Sequence, residues 1–213
     1  MLRQLKRLGG ETIVYGTSTI IGRFLNFLLV PLYTNVLLPG PYGMIAVVYS
    51  IIAFINVIYS YGMESAYFKF SSTLEIGTPA ENFTTPFASL FATSIFFSLM
   101  IVAFASPIAA AMNVPGEYGS ILYYAAGILA FDALAVIPFA SLRMERKAVR
   151  FASLKFLNIV VNVGMNIFLL VGLHTGVEGI FISGLTASVL TFLLLLPVIV
   201  RHCSGGFNGR LLK

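Results

Sequence analysis

The chain has 213 residues, 58% of them hydrophobic and only 10% charged, with a net charge of +5 and a mean hydropathy of +0.94. Soluble domains carry about 25% charged residues, so a soluble globular fold is excluded, and the length suits about six bilayer crossings of roughly 20 residues each. The basic residues are scattered between apolar runs instead of clustering on one face, which argues against a nucleic-acid partner and makes them reporters of membrane orientation.

Residues 12–38 form the first apolar run, and Arg23 lies near its middle. A charge at the centre of a spanning helix costs about 2.5–3.5 kcal/mol on insertion scales, so it is normally kept for a task. Thr12, Tyr15, Thr19, Arg23 and Asn26 recur every three or four residues and share one helical face. Two roles fit Arg23. It locks onto an acid of a neighbouring helix, or it lines a polar cavity and meets an anionic substrate. Exchange of the counter-ion for a substrate joins the two. Arg3, Lys6 and Arg7 imitate the start of a secretion signal, but the run behind them is too long. No alanine precedes Ala46 to supply a cleavage site, so the run is expected to be a retained span.

Pro39-Gly40-Pro41 predicts a tight turn before the second run, 42–68, which carries Glu64 and is followed by Lys69, a partner Glu64 can hold. Thr85-Pro86 predicts the cap and first turn of the third run, 83–112, which Asn113-Val114-Pro115-Gly116 closes. Asp132 lies in the fourth run, 118–142. The fifth, 151–171, carries Asn158, Asn162 and Asn166 at i, i+4 and i+8, preceded by Lys155, and the sixth covers 179–200. Pro31, Pro107, Pro138 and Pro197 fall inside runs and predict kinks. The expected fold is all-α: a polytopic transmembrane helix bundle of six spans in a single membrane domain, 1–213.

Helical rise sets approximate depths from the N-terminal side: about 17 Å for Arg23, about 15 Å for Asp132 and about 6 Å for Glu64. Arg23 and Asp132 match in depth and can pair. The asparagine stripe either hydrogen-bonds to neighbouring helices or lines a hydrophilic cavity that touches sugar hydroxyls. Twelve of the thirteen basic residues fall on the side of the termini, and the opposite loops near 39–41, 113–117 and 173–177 hold none. Both termini are therefore expected to be cytoplasmic. Cys203 is the only cysteine, and His174 and His202 lack metal-ligand spacing. No catalytic constellation, phosphate-cradling loop or metal cluster is visible. The expectation is a protein that is not an enzyme and takes no cofactor.

Pro31-Leu32-Tyr33-Thr34, Leu37, Pro39 and Tyr42-Gly43 resemble the end of the first span in polysaccharide biosynthesis proteins. These are the lipid-linked oligosaccharide flippases of the multidrug/oligosaccharidyl-lipid/polysaccharide exporter superfamily. Ile21-Gly22-Arg23-Phe24, then Gly62-Met63-Glu64 with Ala66 and Lys69-Phe70, then Leu142-Arg143, Phe151 and the asparagine helix are similar to the same family in order and spacing. Gly40-Pro41 departs from it, standing where a polar or acidic pair is usual, and so does Asn35, where a basic residue is frequent.

The resemblance implies a multi-pass protein of the bacterial cytoplasmic membrane. Such a protein moves undecaprenyl-diphosphate-linked oligosaccharide across the bilayer by alternating access, for O-antigen or other surface polysaccharide. It implies Arg23 on the diphosphate, and Asn26, Asn158, Asn162 and Asn166 on the glycan. Asp132, Glu64 and Lys69 become counter-ions or couplers. Family members have two lobes, so the chain is expected to equal the N-terminal lobe and to work with a C-terminal lobe or a second copy among membrane lipids. A cation-coupled drug exporter of the same superfamily and a non-transporting scaffold of the glycan machinery are the alternatives.

Overall fold

The computed structural model describes residues 29–74, 76–203 and 206–212, together with Gly16 and Ile20. Among them it is all-helical. A helical segment over 29–36 leads into α1 (Pro39–Ser60), α2 (Met63–Thr73), α3 (Pro79–Ala103), the short α4 (Ala105–Ala111), α5 (Ile121–Met144), α6 (Ala148–Ile167) and α7 (Val177–His202). Five stretches are long and apolar enough to cross a membrane: Pro39–Thr73, Pro79–Ala103, Gly116–Met144, Ala148–Gly172 and Val177–His202. Most of the first apolar run, 12–38, lies outside the described residues, and Arg23 and Asn26 with it.

Several boundaries differ from the sequence reading. Pro39-Gly40-Pro41 is not the turn but the first turn of α1. The reversal falls one step earlier, at Leu37 and Leu38, with Leu38 extended (φ −68°, ψ 155°) as a residue before proline prefers. The second run breaks into α1 and α2 at Tyr61 (φ 26°) and Gly62 (φ 78°). The third opens not at Thr85-Pro86 but at Thr78-Pro79. There the Thr78 hydroxyl accepts from the Glu81 amide (3.3 Å), and the Glu81 carboxylate accepts from the Thr78 amide (2.8 Å). That run then breaks at Phe104, leaving α4 as a separate helix. Pro138 and Pro197 are carried inside unbroken helices, and the last turn of the α6 span, Phe168–Gly172, widens to π geometry.

α5 is the centre of the bundle: 72% of its most apolar stretch is buried, against 17–44% for the other four spans. It packs against α1, α2, α3, α6 and α7. Lipid tails are as apolar as leucine, so close packing instead of water expulsion must hold such helices together. The core supplies it with Ile45, Val48 and Tyr59 of α1, Leu129 and Ala133 of α5, and Ile180 and Phe181 of α7. Tyr49 stacks on Phe181 at 5.0 Å. Outward faces carry Phe54, Leu99 and Val200, exposed by 71%, 62% and 74%, as a surface solvated by hydrocarbon requires.

Candidate functional site

Five helices contribute side chains to a cavity of about 630 Å³. α5 contributes Asp132, Ala135, Phe139 and Arg143, spaced three and four residues apart, so all lie on a single stripe. α6 contributes Phe151, Lys155, Asn158 and Asn162 in the same rhythm, and α7 contributes Gly184, Ala187, Ser188 and Thr191. Tyr49, Ile52 and Asn56 come from α1, and Glu64 comes from the first turn of α2. Gly184 lets Ile128 and Tyr49 approach α7 closely, since a Cβ there would stand 3.1 Å from Ile128 Cδ1 and 3.3 Å from the Tyr49 hydroxyl oxygen.

The charges are graded along the cavity. At the α5–α6 end, Arg143 pairs with Glu64 and lies over the rings of Phe68 (5.1 Å) and Phe151 (5.8 Å). Farther in, the Lys155 ammonium sits 4.3 Å from the centre of the Phe139 ring. Phe139 and Phe151 meet edge to face at 5.2 Å. Cation–π contacts are worth about 0.5–2 kcal/mol and steady a cation without neutralising it. Among the described residues no carboxylate lies within ion-pair distance of Lys155. Its charge is presented to the cavity.

Asp132 lies about 16 Å beyond Arg143 along α5, where its Oδ1 accepts from the Ser188 hydroxyl at 2.7 Å. Asn158 donates to the Ala187 carbonyl (3.0 Å) and the Thr191 hydroxyl (2.8 Å). Both its donors are thereby committed, and its Oδ1 is left for a ligand. Asn162 accepts from Asn166 at 2.6 Å, which leaves the Asn162 amide hydrogens as donors. The wall therefore carries Arg143, its partner Glu64 and Lys155 toward one end, and toward the other Asp132, within electrostatic reach of Lys155, with amides and hydroxyls of both polarities.

The candidates drawn from the sequence separate on this geometry. Glu64, Asp132, Asn158 and Asn162 line the cavity, whereas Asn166 is buried and accepts from the Tyr33 hydroxyl at 2.9 Å, tying the 29–36 segment to α6. Lys69 is not in the lining; it lies over the Phe70 ring at 5.4 Å, and Arg143 takes its place as the partner of Glu64. Arg23 and Asn26 lie outside the described residues, so an Arg23–Asp132 pair has no geometry here. Sequence reasoning used Arg143 and Lys155 for membrane orientation and did not name them as site residues, but both are in helices and line the cavity. The signal was present: Lys155 precedes Asn158 by three residues on the asparagine stripe. His202 ends α7, where its Nε2 meets Glu145 Oε1 at 2.5 Å. Partial burial works against the Glu145 carboxylate, but Lys147 and His202 outweigh it and hold its pKa below the ordinary 4.5. Among the described residues no three His, Cys, Asp or Glu side chains gather as metal ligands.

No curated protein and no solved structure matches the chain significantly. A multi-pass set of apolar helices around a charged, amide-lined cavity is joined by a match to a protein family that runs through every one of those helices. Over residues 34–213 the sequence matches the polysaccharide biosynthesis protein family, and the chain belongs to it.

Proposed function

We propose that this protein carries a lipid-linked oligosaccharide across the bacterial cytoplasmic membrane, supplying surface polysaccharide synthesis, and that it performs no bond chemistry of its own. The observation that carries the reading is the graded wall of the cavity, in a chain of the polysaccharide biosynthesis family. Arg143 and Lys155 suit a diphosphate, because an anion entering a low-dielectric site needs fixed cations. Asn158, Asn162, Ser188 and Thr191 suit sugar hydroxyls, which both donate and accept. The prenyl tail stays in the bilayer beside the apolar outer faces. Both termini are on the cytoplasmic side, the 12–38 run is a sixth span, and the lobe works opposite a C-terminal lobe or a second copy. Asp132 serves as the counter-ion or the coupling group.

Asp132 also favours a second reading, an exporter of organic cations, in which the substrate displaces Lys155 as the nearest positive charge. The two separate in cells that depend on this protein for surface polysaccharide. Lys155→Met abolishes polysaccharide display under the first reading, with membrane abundance unchanged, and Lys155→Arg retains part of it. Undiminished display with Lys155→Met, together with lost resistance to cationic dyes in Asp132→Asn, establishes the second reading instead.

A further inference from the structure

Glu64 is an acid placed against the Arg143 cation at the mouth of the cavity; the Arg143 and Glu64 side chains are 36% and 38% exposed, while the contacting Glu64 Oε1 is itself covered. A pair with side chains this open contributes little to stability, so an anion of higher charge can exchange with it. The surroundings suit exchange. Phe68 and Phe151 support the guanidinium whether or not Glu64 is there. The turn before Glu64 runs through Tyr61 and Gly62, both at positive φ, so α1 and α2 are separate helices and the first turn of α2 is not held by continuous helix on its N-terminal side. Tyr67, one turn on, stays anchored edge to face on Phe83 at 6.2 Å, which confines any movement to the first turn of α2.

From this arrangement we propose that Glu64 is a built-in stand-in for the substrate's anionic group. It occupies Arg143 in the empty cavity, and a diphosphate displaces it, releasing the first turn of α2 from the α5 wall. The proposal rests on the reading of the cavity as a diphosphate site and adds a competitor to it. A site whose cation is engaged most of the time binds more weakly by the fraction of time it is available. A competitor and a positioning residue therefore differ in sign. Removing a competitor tightens anion binding, whereas removing a group that positions Arg143 weakens it.

The test is equilibrium binding to the purified chain in lipid nanodiscs, with inorganic pyrophosphate and with farnesyl diphosphate as separate probes. Glu64→Gln should tighten binding by about tenfold, as expected if Arg143 is available about a tenth of the time in the wild type. Tightening for both probes identifies the diphosphate as the displacing group. Tightening for the prenyl form alone identifies a headgroup presented from the membrane. Unchanged or weakened binding in Glu64→Gln, with wild-type binding that Lys155→Met abolishes, overturns the competitor while leaving the diphosphate site standing. Absence of binding in the wild type and in Glu64→Gln overturns both. Should Glu64→Gln fail to fold, Glu64→Asp replaces it. Its shorter carboxylate reaches Arg143 less well, so binding should tighten in the same direction by a smaller factor, and weakening refutes the proposal equally.

Discussion

Asn158 and Asn166 stand two turns apart on α6 and do different work. The amide of Asn166 is consumed by Tyr33 and Asn162. Asn166→Ala leaves the Tyr33 hydroxyl without its acceptor and should lower stability by about 1–2 kcal/mol, the scale of interhelical polar contacts in membranes. Reversible unfolding in mixed micelles measures it. Glu145 gives the pH dependence its sign. Its folded pKa is depressed, so pairing with Lys147 and His202 stabilises fully above the ordinary carboxylate range and is lost as pH falls through the lower folded value. The thermal midpoint should therefore fall as pH drops through the acid range below 4.5, and Glu145→Gln should remove that acid step. The residue scale is also where sequence reading was weakest. Arg143 and Lys155 flank a turn, and a charge pattern there cannot distinguish a solvated loop from two helix ends whose inner faces meet across a cavity.

At the scale of elements, the apolar runs were legible because every span must be long and hydrophobic. Their ends were less so, because the punctuating residues have more than one use. Proline's fixed φ suits a turn and the first turn of a helix alike, which is why Pro39-Gly40-Pro41 begins α1 instead of preceding it. Thr78-Pro79 and Thr85-Pro86 carry the same two-residue signature, and what decides between them is Glu81, three residues after Thr78, closing the reciprocal cap. Thr78→Ala should therefore cost about 1 kcal/mol, while the same change at the buried Thr85 removes the hydroxyl that accepts from the Asn208 amide and touches no helix cap. Tyr61-Gly62 hid inside an apolar run because a single glycine does not oblige a helix to break. Gly62→Ala meets open space but must hold a φ of 78°, so the expected cost of about 1–2 kcal/mol is a backbone cost alone. Measured thermal midpoints of the two variants check both figures.

For the whole molecule, the all-helical bundle followed from composition, and the family from the order of its motifs, whereas the cavity required four other helices to be brought together around α5. The central claim is that this cavity binds an anionic, lipid-linked glycan by its cations and moves it across the membrane. Orientation is part of that claim. A cysteine at Gly176, between α6 and α7, should react from outside intact cells, and reaction only after permeabilisation would reverse the topology. Arg23 is tested alongside Asp132. If the pair is only structural, Arg23→Ala with Asp132→Ala restores both expression and export, and if Arg23 contacts substrate, expression alone returns. The most direct measurement is translocation of a fluorescent prenyl-diphosphate oligosaccharide in proteoliposomes, comparing wild type, Lys155→Arg and Lys155→Met. Lysine to arginine keeps the charge and changes its shape, so the account predicts reduced but measurable transport. For Lys155→Met it predicts a loss of at least about tenfold, matching the removal of roughly 1.4 kcal/mol or more of binding energy. Transport by Lys155→Met at the wild-type rate would contradict it.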